Sequence, residues 1–466
     1  MNKKICLGAS CLATVLIAVI ISICVLSSCG SSSNSDSSQE TSGSNDNTIR
    51  VLNFKPEIAT FMAEACAKFS EETGYKVIVD TAANGQYETT LTSKMSGDEA
   101  PTLFVINGQN GYKSWKNYCA DMTNTWAAQH LTDKDMAVKD SAGHIYGVPY
   151  VTEGYGIIYN EAITNKYFAL PDKKSPLNKM DEVKSYDQLK VVAEDMQAHS
   201  EELGIQGTFS STSLKTGHDF RWQTHLANMP ITQEFIDRNV DLTSTDVQTI
   251  EFSYSKNFQK IFDLFINNSI VPRKRLGTVA VTDSMAEFAM GRSAMVQNGN
   301  WSWNQIKTVK NKVVDETNIK FLPIYMGLPN EEHQGLCIGT ENFYAINSQK
   351  TPAQQEIANK LIEWMYSTPT GKQYVVNKFG FIAPFDTFTP NDTPDDPLGK
   401  QLMAWMQNKN VKNVPWYFTV FPSQNFKNRL GASLLRYAQE QKDWDTLTQQ
   451  TIDLWHDEYT SSIYDD

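Results

Sequence analysis

Apolar side chains recur along this chain with two alternating periods. Ile49 to Phe54 reads as a strand, and Ile58, Phe61, Met62, Ala65 and Phe69 then repeat at helical spacing. Gly74 ends that helix and Lys76 to Val79 reads as the next strand. A second helical stretch around Tyr87 to Met95 leads to a third strand, Leu103 to Ile106. Strand, helix, strand, helix, strand predicts an α/β fold with a mainly parallel sheet flanked by helices. Ligands of such sheets bind beyond the carboxyl ends of the strands.

Three polar loops fall at those ends: Asn53 to Glu57, Ala82 to Tyr87 and Asn107 to Asn110. Lys55, Glu57, Asn84, Gln86, Asn107 and Gln109 carry groups that donate to or accept from a polyol, and Tyr87 offers a ring for stacking. Residues 161–285 read as mostly helical. Phe258, Ile261, Phe262, Phe265 and Ile266 form a core stripe there. The cluster Phe220, Arg221, Trp222 and His225 is the local group expected at a cleft, with Trp222 covering one face of a ligand and Arg221 suited to a carboxylate.

The densest stretch is Glu287 to Trp303. Phe288, Ala289 and Met290 read as a buried helix end, Gly291 as its left-handed stop, and Ala294 to Val296 as a short strand. Asn300 follows Gly299, and Trp301 and Trp303 come next at a spacing of two. In an extended segment both indoles would point to one face and form a stacking wall; as core aromatics they would not.

Two stretches resemble a known family. F-x-x-G-x-x-A-M-x-x-x-G-x-W, matched at Phe288, Gly291, Ala294, Met295, Gly299 and Trp301, is similar to the signature of family 1 extracellular solute-binding proteins of bacterial ABC importers, the maltose and multiple-sugar group. Tyr146, Gly147, Val148, Pro149, Tyr150, Tyr159 and Asn160 match the same family's first crossing between lobes. The resemblance implies a two-lobe periplasmic-binding-protein fold of type II, each lobe a mainly parallel sheet, joined by hinge crossings. It places Glu153 and Tyr155 toward the cleft, and Glu341 and Asn342 where similar proteins recross and touch ligand. The implied lobes are 48–155 plus 340–385 and 156–339 plus 386–466.

The amino terminus adds an export route. Residues 1–28 join a basic start, Lys3 and Lys4, to an apolar run from Ile5 to Leu26, which reads as a signal peptide or, on length alone, a membrane anchor. Leu26-Ser27-Ser28-Cys29 resembles a bacterial lipobox, so the expectation is cleavage before Cys29 and lipid on its thiol, on the outer face of the cytoplasmic membrane. Residues 29–47 are Ser-rich and, beyond Cys29, without aliphatic or aromatic side chains. They predict a flexible tether with an end-to-end distance of roughly 20–25 Å.

Composition narrows the chemistry. Loss of residues 1–28, with two lysines and no acid, takes the formal net charge from −12 to −14, and no basic block favours nucleic acid. Cys66, Cys119 and Cys337 are far apart and read as buried thiols. No G-x-S-x-G, Walker loop, G-x-G-x-x-G or H-E-x-x-H pattern occurs, and no cofactor or metal is expected. The expected role is that of a monomeric carrier that binds a carbohydrate, probed as an oligosaccharide, and passes it to membrane permease subunits. A lipid-anchored glycoside hydrolase, or a carrier for a peptide or polyamine, are the alternatives.

Overall fold

The computed structural model describes residues 45–461 apart from 84, 243 and 390. The expected signal peptide, the lipidation site Cys29 and the candidate Asn84 lie outside the described residues. The last three positions of the expected tether, Asn45–Asn47, form a 3₁₀ turn, and Thr351 donates from its hydroxyl to Asp46 at 3.0 Å. No helix among the described residues is long and apolar enough to cross a membrane.

The strands, in chain order, are β1 Thr48–Asn53, β2 Lys76–Thr81, β3 Leu103–Asn107, β4 Val138–Lys139, β5 Ile145–Pro149, β6 Glu153–Asn160, β7 Gly207–Phe209, β8 Ser293–Gly299, β9 Ile319–Leu322, β10 Gln334–Gly339, β11 Asn342–Ile346 and β12 Lys412–Val414. They form two six-stranded sheets. The first runs β2-β1-β3-β11-β5-β4; the second runs β12-β10-β6-β8-β7, with β9 paired to β6. The periodicities at the start of the chain appear as β1, the helix Ala59–Thr73, β2, the helix Tyr87–Met95 and β3. Gly74 caps the first of these helices at φ 79°.

The expectation of mainly parallel sheets is corrected: both sheets are mixed. In the first, β1 pairs parallel with β2 and β3, but β11 is antiparallel to both β3 and β5. In the second, β6 is antiparallel to β8, β9 and β10. The cause is connectivity. Only strands joined by a helical crossover inside one lobe must run parallel, whereas β5 leads into β6, and β10 into β11, directly from one sheet to the other. The two crossings are short, residues 150–152 and 340–341, and lie side by side in opposite directions.

Each sheet has its own core. Phe69, Phe104, Ile106, Leu361 and Tyr366 are buried around the first; Phe209, Phe262, Phe265, Leu434 and Trp455 are buried around the second. The stripe read from the sequence lies on the helix Ser255–Asn267, where Phe258, Ile261, Phe262 and Phe265 are at most 1% exposed. Each such burial contributes roughly 1.5–3 kcal/mol. The helix Pro352–Ser367 opens with a capping box: Thr351 accepts from the Gln354 N–H and Gln354 accepts from the Thr351 N–H. Cys66, Cys119 and Cys337 are free and buried, and burial pushes each thiol up to about 12.

Candidate functional site

A cavity of about 550 Å³ lies where the carboxyl ends of β1 and β3 face the second sheet's loops. That volume suits a small-molecule ligand. Its first wall is set by local chemistry in the loop after β1. The Asn53 side chain accepts from the Lys55 N–H at 3.1 Å and donates to the Lys55 carbonyl at 2.8 Å, which pins the turn that carries Lys55 and Glu57. Tyr87 opens the next helix; its hydroxyl accepts from the Val105 N–H at 2.7 Å and its ring meets Phe54 edge-on, centroids 5.1 Å apart.

Across the cavity, Lys55 donates to both oxygens of Glu153, each at 2.8 Å, and Glu57 lies 3.8 Å from the same ammonium. Lys55 belongs to the first sheet's loop and Glu153 begins β6, so this buried pair ties the two halves together. Burial opposes charge on Lys55, but Glu153 and Glu57 outweigh it and raise its pKa above the ordinary lysine value. Burial raises the carboxyl pKa of Glu57, Glu88 and Glu341. His225, fully buried and near Arg221, Lys427 and Lys55, is pushed well below the usual imidazole value and is neutral at pH 7.

The second wall comes from three distant segments. Phe220 and the π-helical turn Arg221–Leu226 supply Phe220, Gln223, Thr224 and His225; the turn that follows β8 supplies Trp301; the start of the helix Gln424–Ala438 supplies Lys427 and Asn428. The Trp301 indole folds back over Gly299 so closely that a Cβ there would sit 2.1 Å from the ring. Here glycine is required for the approach, not for its φ. Around the mouth the two halves meet: the Asn110 amide donates to the Phe421 carbonyl at 2.7 Å, and Gly85 faces Gly217 backbone to backbone.

Of the residues singled out from sequence, Lys55, Glu57, Gln86, Tyr87, Asn107, Glu153, Trp301 and Glu341 line this cavity. Gln109 does not: residues 108–115 form a helix rather than a loop, and its amide donates to the Lys139 carbonyl at 3.0 Å on the surface. The expected pairing of Trp301 with Trp303 is corrected. Asn300–Ser302 is a 3₁₀ turn held by Ser302 donating to the Gly299 carbonyl at 2.7 Å, so residues two apart point in different directions. Trp303 is buried with Phe288, Ile306 and Leu336 and borders a separate hollow of about 210 Å³, as does Asn300.

Trp222 packs edge-on against Phe262 and Phe265 in the core, on the far side of the turn from His225. Tyr155 is fully buried behind the wall; its hydroxyl donates to the His225 carbonyl at 2.8 Å and its ring stacks on the imidazole at 4.5 Å. Asn342 is buried within β11, and the Asn300 side chain accepts from the Gly154 N–H at 3.0 Å, bracing a crossing. Arg221 does not line the cavity; it is 1% exposed and stacks on Phe220 at 4.5 Å.

Sequence reasoning missed Glu88 and the whole segment from Trp416 to Asn428. The signal was present: an aromatic and amide-rich run, WYFTVFPSQNFK, directly before a Ser423-capped helix. Trp416 lies edge-on to Trp301, centroids 6.4 Å apart, and backs it.

Among solved structures, a chitin oligosaccharide binding protein superposes with a TM-score of 0.66 at 15% identity, covering 88% of this chain and 98% of that one. The solute-binding protein RafE in complex with raffinose gives 0.66 at 17%, covering 88% and 99%. A sugar transporter from Bacillus licheniformis in complex with stachyose gives 0.63 at 14%, covering 88% and 100%. These similarities establish the two-lobe fold. The sequence itself matches the bacterial extracellular solute-binding proteins across residues 64–410, and the chain belongs to that family.

Proposed function

We propose that this protein captures a carbohydrate, an oligosaccharide, between its lobes and delivers it unaltered to the permease of an ABC importer, acting as a monomer held at the outer face of the membrane by lipid on Cys29. The lobes are 48–155 with 340–385 and 156–339 with 386–466. The observation that carries the reading is the cavity lining: an indole and phenyl faces beside buried carboxylates and amides, the pairing that suits a sugar ring's apolar face and its hydroxyl edge. Neighbours of the same fold include a chitin oligosaccharide binding protein and proteins in complex with raffinose and stachyose.

Binding is favoured over hydrolysis by the state of Glu153. Both its oxygens accept from Lys55, which leaves that carboxylate poorly placed to act as a general acid or nucleophile. Calorimetric titration with a panel of oligosaccharides tests the reading, with chromatography to show that the sugar is returned intact. Trp301→Ala is expected to weaken binding by about 2 kcal/mol or more through loss of the stacking face. Unchanged affinity in a folded Trp301→Ala protein overturns the assignment of that wall.

A further inference from the structure

Lys427 is the cavity's unassigned charge. It is 8% exposed and lines the cavity, and its ammonium forms no hydrogen bond or ion pair among the described residues; Nζ lies over the Phe418 ring, 5.9 Å from the centroid. Lys55, the other lysine on the wall, is already saturated by Glu153. A buried ammonium without an acceptor is costly, and the cost is removed when an oxygen anion arrives.

Two features beside Lys427 favour such an anion at this point of a cavity otherwise lined by the carboxylates of Glu57, Glu88, Glu153 and Glu341. Lys427 stands in the first turn of the 15-residue helix Gln424–Ala438, whose amino end faces the cavity, and a helix amino terminus attracts negative charge. Gln424, Asn425 and Asn428 line the same wall; the Gln424 amide donates to the Asn428 side-chain oxygen at 2.9 Å and the Asn425 amide donates to Glu458, which leaves the Asn428 amide as the donor without a protein acceptor among the described residues. Glu341 and Glu88 attract Lys427 from a distance without pairing with it, and burial still holds its pKa below the ordinary lysine value. Arg221 is withdrawn from the wall, so the sequence-based expectation that Arg221 would meet a carboxylate passes to Lys427.

We propose that the carbohydrate carried by this protein is acidic, with the carboxylate of a uronic acid residue seated on Lys427 at the amino end of the helix Gln424–Ala438. The proposal rests on the carbohydrate reading above. Its test uses pairs of oligosaccharides that differ only by carboxylates in place of hydroxymethyl groups, one in cellobiouronate against cellobiose and two in digalacturonate against galactobiose, titrated into the full-length protein.

The acidic member of at least one pair should bind at least about thirtyfold more tightly, the ratio expected of a buried charge pair. Lys427→Met should abolish that preference, and Lys427→Arg should keep most of it. Equal or tighter binding of every neutral member overturns the proposal while leaving the carbohydrate reading intact. Binding of no saccharide in either set, with binding of spermidine or a peptide, overturns both. Where Lys427→Met does not fold, the comparison on the unsubstituted protein decides alone.

Discussion

Replacing Lys55 with methionine removes one charge while keeping most of the side chain's apolar length. In the intact protein the Lys55 and Glu153 side chains are 5% and 3% exposed and bonded at 2.8 Å through both carboxylate oxygens. Without the ammonium, Glu153 is left buried and unpaired, and Glu57, 3.8 Å from the same nitrogen, loses its counter-charge as well. Breaking a buried pair from one side costs about 3–5 kcal/mol. Glu153→Gln should cost less, because Lys55 retains Glu57. The double replacement Lys55→Met with Glu153→Gln should recover most of the loss, since no charge is stranded. Urea unfolding followed by circular dichroism supplies the three values. The pair's pH dependence follows from its sign: Lys55 titrates above its ordinary 10.5, so its contribution is fully present below that value and is lost only as the pH rises through the higher folded one. Stability from the Lys55 charge should therefore be unchanged as the pH rises from neutral to about 9. A Lys55→Met cost below about 1 kcal/mol, or a double variant as unstable as the single one, would show that the bridge does not hold the halves together.

Three further outcomes follow from the geometry. Gly299→Ala places a methyl group inside the Trp301 ring position, so the indole must swing out, and sugar affinity should fall by about 1–2 kcal/mol with a red shift in tryptophan emission. Gly85→Ala combines a φ of 68° with a Cβ 2.7 Å from the Gly217 carbonyl; it should push the two sides of the mouth apart, read as a larger radius of gyration by X-ray scattering. Asp219 is raised by burial to about 6 from 3.8, so its folded form binds a proton more readily than the unfolded chain and stability falls as pH rises across that window. Asp219→Asn should add on the order of 2–3 kcal/mol at pH 8 and little at pH 4.

Much of the fold was legible because its signals are local. Gly74 and Gly291 occupy the left-handed positions expected of them, at φ 79° and 66°. The site was half legible for the same reason: Lys55, Glu57 and Asn107 follow strand ends that periodicity identifies. Trp303 misled because spacing of two has one meaning in a strand and another in a 3₁₀ turn. Trp222 misled because the π-helical turn rotates it toward Phe262 and Phe265 while Phe220 and His225 face the ligand space. Lys427 reaches the cavity from a segment more than three hundred residues away from Lys55, and no local pattern encodes that meeting.

Glu153 and Glu341 stand at the two short spans where the chain passes between sheets, one beginning β6 and the other preceding β11. In the proposed capture, with the halves turning as arms about these spans, points near this fulcrum travel least and Gly85, Gly217 and the Gln424 to Asn428 rim travel most. On the proposed carbohydrate reading, the ligand meets Glu153 and Glu341 before the arms move and gains the rim only afterward. Arrival rates should answer to changes at the fulcrum and residence times to changes at the rim, a division that stopped-flow kinetics can read residue by residue.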